Sequence, residues 1–168
     1  MVTKLIIFDL DETLVHATMN KLSYAPDFEV SPYVVYIRPF AAELLEFTAT
    51  HFDIAIWSSS SAVYVEAVTE RLFRPLYLPR FSWAVEKCVQ KVDPRTNGYV
   101  YIKDLRWVRK HGYDVDEIII IDDSPEKIQR QPRSHLHVAP FTESPSDQEP
   151  LACDSSAERI TRPDQRLN

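Results

Sequence analysis

The sequence predicts an α/β domain with a mainly parallel central sheet, and three observations carry that prediction. Apolar runs of strand length alternate with segments of helical periodicity. The runs are continuously apolar, as in strands covered on both faces. Three of them stop abruptly at polar residues, acidic in two cases, which places those residues beyond the carboxyl ends of strands, where open α/β sheets form their sites.

Leu5-Ile6-Ile7-Phe8 is the first run and ends at Asp9 and Asp11. Residues 22–37 hold several Pro, Tyr and Val residues, and they read as a loop or flap followed by a strand at Tyr33–Ile37. Arg38-Pro39 then opens a helix over 39–50, with Phe40, Leu44, Leu45 and Phe47 as its apolar stripe. Phe52–Trp57 is the second core strand and stops at four serines, Ser58 to Ser61. A second helix spans 61–73, with Val65, Val68 and Leu72 on one face. Residues 74–102 differ in character. Three prolines, a turn signal at Asn97-Gly98 and short β-prone pieces at Phe81–Val85 and Tyr99–Ile102 predict a small antiparallel insertion.

A third helix is expected over 104–111, closed by Gly112. Glu117–Ile121 is another buried strand and runs into Asp122-Asp123. Ser124-Pro125-Glu126 has the order of an N-cap, a first-turn proline and a first-turn acid. His137-Val138-Ala139 reads as a last short strand. The segment 143–168 is rich in Ser, Pro, Gln and charge and is expected to be disordered, so the folded domain is placed at 1–142.

Composition bounds the function. The 168 residues suit one domain with a sizeable core, and 45% hydrophobic content excludes a disordered or fibrous chain. No apolar run approaches the roughly 20 residues of a membrane span. The first eight residues resemble a signal peptide, but their apolar run is short, ends in acids and lacks a small-residue cleavage site. A cytoplasmic protein is therefore expected. Cys88 and Cys153 read as free thiols, and no Cys/His spacing fits zinc. The net charge of −6 argues against nucleic-acid binding. Residues 71–133 nevertheless carry 13 Lys and Arg against 9 Asp and Glu. That excess suits either an anionic substrate or a solvated basic face.

Asp9 and Asp11 can bracket one small volume if the chain curls after its strand. As a pair they equally suit a turn cap. Asp123 would bring a third carboxylate to the same edge, and three close carboxylates repel unless a cation compensates. Oxygen ligands in this number suit Mg²⁺, which draws the rest of its shell from water and phosphate.

The wider pattern is more specific. Asp9-Leu10-Asp11-Glu12-Thr13-Leu14, Trp57-Ser58-Ser59-Ser60, Tyr101-Ile102-Lys103-Asp104-Leu105 and Ile121-Asp122-Asp123-Ser124-Pro125 occur in that order. They resemble the four motifs of the haloacid dehalogenase-like superfamily. The first is closest to the branch of the RNA polymerase II carboxy-terminal-domain phosphatases and the NLI-interacting-factor-like phosphatases, bacterial members included. The resemblance covers residues 3–142. It implies a Rossmann-like fold with a small β insertion between the second and third motifs and no large cap domain.

The resemblance also implies roles. Asp9 is the nucleophile that forms an aspartyl-phosphate, and Asp11 is the acid and base, with its backbone carbonyl on Mg²⁺. Ser58 and Lys103 hold the phosphoryl oxygens. Asp123 completes the metal ligands with Asp9. Asp122 orients Lys103 or metal-bound water, and Thr13 supports the Asp loop. His16, His51, His111, His135 and His137 are assigned no role. Two departures stand out. Small eukaryotic relatives often carry Asn at the position of Asp123, and the leucine-rich final helix of relatives is missing after Leu151.

The expected activity is phosphomonoester hydrolysis, with a phosphoserine or phosphothreonine protein favoured because an uncapped site admits bulky substrates. Small-molecule, nucleotide or nucleic-acid-end phosphates are the alternative substrates. A binding module that has lost catalysis is the alternative from another class, and the presence of both Asp9 and Asp11 weighs against it.

Overall fold

A computed structural model of the chain describes residues 4–73 and 77–142. In chain order, β1 is Leu5–Phe8, followed by β2 (Val15–Thr18), β3 (Phe28–Val30) and β4 (Tyr33–Ile37). Helix α1 (Ala41–His51) leads into β5 (Asp53–Trp57), and α2 (Ala62–Leu72) leads into β6 (Ser82–Trp83). Next come β7 (Val89–Asp93), β8 (Gly98–Ile102), β9 (Ile118–Asp122) and β10 (His135–His137).

The main sheet has the order β10-β9-β1-β5-β6, and each of its neighbouring pairs is parallel. The continuously apolar β1 lies at its centre with all four residues buried. Successive residues face opposite sides. Ile6, Phe8, Ile54 and Ile56 join Leu45, Val65 and Val68 from α1 and α2 in one core. Leu5, Ile7, Ala55, Trp57, Ile118 and Ile120 join Leu105, Val108 and Ile128 in the other. Each such large side chain contributes about 1.5–3 kcal/mol on burial. A strand apolar on both faces therefore determines the sandwich, and its carboxyl end emerges at one edge.

Several details differ from the sequence reading. The stretch after the first motif is a three-stranded antiparallel sheet, β2-β4-β3, and not only a loop and one strand. β2 and β3 are short and partly polar, and pairing to β4 rather than local propensity makes them strands. Helix α1 starts at Ala41 and buries Ala41, Leu45 and Thr48. Phe40 holds a left-handed conformation before the helix, and both Phe40 and Phe47 are exposed, so they do not belong to the apolar stripe. Helix α2 buries Tyr64, Val65, Val68 and Thr69.

The piece Phe81–Val85 does not belong to an antiparallel insertion. Ser82 and Trp83 extend the main sheet in parallel with Ile56 and Trp57. Aromatic packing supplies the reason: the Phe81 and Trp83 rings stack with centroids 4.3 Å apart, and Trp83 meets Trp57 at 4.9 Å. What remains of the insertion is the antiparallel hairpin β7–β8, with Asn97 left-handed at its turn. Among the described residues, neither inserted sheet exceeds three strands, which accords with a fold lacking a large cap.

The third expected helix is a 3₁₀ segment, Leu105–His111, ended by a left-handed Gly112. Seven residues gain few i→i+4 bonds, and the Asp104 side chain captures the Arg106 amide instead. Pro125–Ile128 is also 3₁₀, and Ser124 makes no side-chain cap there. The last strand falls at His135–His137 rather than at 137–139. Cys88 is a free thiol. Cys153 and the tail read as disordered lie outside the described residues. No helix among the described residues is long and apolar enough to cross a membrane.

Candidate active site

The chain curls immediately after β1. The Leu10 carbonyl accepts the amides of Thr13, Leu14 and Val15 at 3.2, 2.8 and 3.0 Å. Glu12 takes a left-handed φ of 61° to allow this. The curl is pinned from outside by the Arg38 guanidinium donating to the Thr13 carbonyl at 3.2 Å. The Phe141 amide donates to the Glu12 carbonyl at 2.7 Å. Asp9 and Asp11 thus flank the buried Leu10 on a rigid loop at the sheet edge.

β9 runs beside β1, with Phe8 level with Ile121, and so brings Asp122 and Asp123 to the same edge. Lys103 follows β8 and is fully buried. Its ammonium donates to Asp9 Oδ1 at 2.6 Å and to Asp122 Oδ2 at 2.5 Å. Thr13 Oγ1 donates to Asp9 Oδ2 at 3.3 Å. Ser58, also buried, terminates β5, and its Oγ accepts the Ser60 amide at 3.0 Å.

The acids sort by their partners. Carboxylate oxygens of Asp9, Asp122 and Asp123 lie within 4.8 Å of one another. Both oxygens of Asp122 take protein donors, from Lys103 and from the Ser124 amide at 2.8 Å. Asp123 is only half-buried and accepts a 3.2 Å bond from the Ser124 hydroxyl. Asp123 is therefore better placed than Asp122 to offer an oxygen to a cation. Hard, oxygen-only donors in a small cluster fit Mg²⁺. The Asp11 carboxylate lies outside that cluster. It accepts Ser60 Oγ at 2.7 Å and the Tyr64 hydroxyl at 2.5 Å.

The electrostatics follow. Burial pushes the proton affinities of Asp9, Asp11 and Asp123 above the ordinary carboxylate range. Lys103 offsets part of this at Asp9, while Tyr64 and Ser60 offset part at Asp11. Burial disfavours the Lys103 ammonium, yet Asp9 and Asp122 hold its proton more tightly than in a free lysine. Burial and the facing Asp11 likewise keep Tyr64 protonated.

Of the residues singled out from sequence, Asp9, Thr13, Lys103, Asp122 and Asp123 form one contact network, and Ser58 ends the adjacent strand. Ser60, quoted only as part of the second motif, and Tyr64 have no role assigned from the sequence. Tyr64 sits at helical spacing beside the buried Val65 and Val68, which is the signal that places it inward. A cavity of about 390 Å³ opens beside Asp11, lined by Ala17, Tyr33, Ser60, Ser61 and Tyr64. Two histidines given no role also border the site. His135 and His137 each set a ring nitrogen against a site carbonyl, of Asp122 at 2.8 Å and Asp123 at 3.0 Å.

Comparison with known proteins adds an independent line. The family model for NLI interacting factor-like phosphatases matches residues 4–165. A Caenorhabditis elegans protein named CTD small phosphatase-like protein 1 is 30% identical over 165 residues, covering 94% of this chain and 31% of that protein. The solved structure of Fcp1, described as an essential RNA polymerase II CTD phosphatase, superposes with a TM-score of 0.62 at 16% identity. That match covers 94% of this chain and 49% of Fcp1. A Porphyromonas gingivalis protein assigned to the HAD-like hydrolases gives 0.54 at 12% identity, covering 96% and 98%. The chain spans less than half the length of several curated relatives it matches.

Proposed function

The chain belongs to the NLI interacting factor-like phosphatase family, and from that premise we propose that it hydrolyses phosphate monoesters through a covalent aspartyl-phosphate. The observation that carries the reading is the fully buried Lys103 ammonium bridging Asp9 and Asp122, with Asp123 alongside. A buried lysine between two acids costs several kcal/mol in desolvation, and a scaffold has no need of it.

In the proposed reaction an Asp9 carboxylate oxygen attacks phosphorus and the ester P–O bond breaks. Asp11 gives its proton to the departing oxygen; burial, which raises its proton affinity, keeps that proton available. Asp11 then accepts a proton from the water that attacks the acyl phosphate, releasing phosphate and restoring Asp9. Lys103 and Ser58 hold the phosphoryl oxygens as charge develops on them. Asp122 keeps Lys103 aimed, and Thr13 steadies Asp9. Mg²⁺ held by Asp9, Asp123 and the Asp11 carbonyl would neutralise charge on the phosphate.

A phosphoserine or phosphothreonine in a protein is the favoured substrate. The cavity beside Asp11 is open and partly aromatic, and Tyr33 and Tyr64 meet edge to face there. Fcp1 is described as acting on the RNA polymerase II CTD, and a protein substrate for this chain is the corresponding reading.

The test is turnover of p-nitrophenyl phosphate with Mg²⁺. Asp9→Asn is expected to cost at least about 10³-fold, and EDTA should abolish turnover reversibly. Activity surviving either treatment sinks the mechanism. A panel of phosphopeptides, nucleotides and phosphorylated nucleic-acid ends then decides the substrate class. Nucleotides outpacing every phosphopeptide would overturn the protein-substrate reading.

A further inference from the structure

The site as described is short of positive charge. Leaving Asp11 aside, Asp9, Asp122 and Asp123 face a single buried ammonium among the described residues, Lys103. A divalent cation would cancel the two unmatched charges and leave none for the substrate. A phosphate monoester dianion brings about two more negative charges near neutral pH. Some further cation has to offset them.

Lys127 stands in the right place. It lies on the 3₁₀ turn Pro125–Ile128, which leaves the sheet directly after Asp122 and Asp123. Its backbone is pinned on both sides. The Lys127 amide donates to the Ser124 carbonyl at 3.0 Å, and its carbonyl accepts the Lys103 amide at 2.8 Å. The next residue, Ile128, is fully buried and anchors the turn in the core. Lys127 itself is half-buried, and it makes no ion pair among the described residues. Its backbone thus sits against that of Lys103, at the edge where β1 and β9 deliver Asp9, Asp122 and Asp123. A lysine whose backbone is fixed at this edge, and whose ammonium makes no salt bridge among the described residues, is poised for an anion that arrives from outside.

We propose that Lys127 is a second phosphate-binding cation of this site, holding the incoming phosphate alongside Lys103, whose ammonium is shared with Asp9 and Asp122. The proposal rests on the phosphatase reading for its substrate, but phosphate binding can be measured without turnover. A metal held by Asp9 and Asp123 would repel a nearby Lys127 ammonium. Loss of Lys127 should therefore weaken phosphate and not the metal, whereas general damage to the site would weaken both.

The experiment is calorimetric titration of the full chain with inorganic phosphate in the presence of Mg²⁺, and separately with Mg²⁺ alone. Wild type, Lys127→Gln and Lys127→Arg are compared, alongside steady-state kinetics on p-nitrophenyl phosphate. Lys127→Gln is expected to raise the phosphate dissociation constant and KM about tenfold, the scale of one charge-assisted contact. Its Mg²⁺ affinity should be unchanged or up to about threefold tighter, because a like charge has gone. Lys127→Arg should bind phosphate within about threefold of wild type. Phosphate affinity that is unchanged in Lys127→Gln, or that falls together with Mg²⁺ affinity, overturns the proposal. Wild type that binds phosphate but does not turn over p-nitrophenyl phosphate would instead overturn the hydrolytic reading, and Lys127 would still be decided by the titrations.

Discussion

Two adjacent residues, Lys103 and Asp104, anchor two buried charge clusters of opposite character. Lys103 supplies one ammonium to a group of acids, and burial leaves Asp9, Asp11 and Asp123 with raised proton affinities. Asp104 is one acid among many donors. It accepts Arg106 Nε and Nη2 at 2.9 and 2.6 Å, Arg130 Nη1 at 2.6 Å and Gln131 Nε2 at 3.1 Å. Hydrogen bonds from Arg106 hold its carboxyl well below the usual range, against the effect of burial. The scaffold cluster is saturated with partners, while the site cluster is left short of positive charge. A surplus of under-compensated acid is what a divalent cation would complete, and nothing in the Asp104 cluster invites a ligand.

That contrast can be broken most severely at Lys103. Lys103→Met leaves Asp9 and Asp122 buried without a counter-charge, and should cost about 3–5 kcal/mol of stability in urea denaturation. Turnover should fall by at least about 10³-fold as well. Adding Asp122→Asn should recover part of the stability and none of the turnover. If turnover returned too, Lys103 would be a structural residue.

Asp104→Asn should separate the two clusters. Stability is expected to drop by about 2–3 kcal/mol through the lost arginine bonds, with turnover per folded molecule changed less than about threefold. The sign of the pH effect follows from the depressed folded-state pKa. The contribution of Asp104 is fully present above the unfolded value of about 4 and is lost as pH falls from there toward the folded value. Wild type should accordingly lose stability more steeply in acid than Asp104→Asn, as urea midpoints across that window would reveal.

The smallest effect is expected at Tyr64. Its hydroxyl favours the ionised form of Asp11. Tyr64→Phe should raise the proton affinity of Asp11 and move the alkaline limb of kcat/KM upward by about half to one pH unit. The direction follows because Asp11 must be protonated to serve the leaving oxygen. A limb that stays in place, or moves down, would remove Asp11 as the acid or Tyr64 as its partner.

Much of the site was legible along the chain because burial leaves a local signature. Leu5–Phe8 and Ile118–Ile121 are apolar on both faces, and that alone makes them central strands with Asp9, Asp11, Asp122 and Asp123 at their ends. The order of the four motifs then named the family and the lysine. Pairings were not legible in this way. Lys103 meets Asp9 across 94 residues of sequence, and Tyr64 meets Asp11 across 53. No periodicity encodes which acid a buried ammonium will choose, or that both oxygens of Asp122 take protein donors while Asp123 accepts a bond from Ser124. The same holds for Ser82–Trp83, which joined the main sheet because its aromatic neighbours found Trp57 there. Local pattern fixes which face of an element is dry. The partners of its polar atoms depend on what other segments bring within about 3 Å, and only the folded chain decides that.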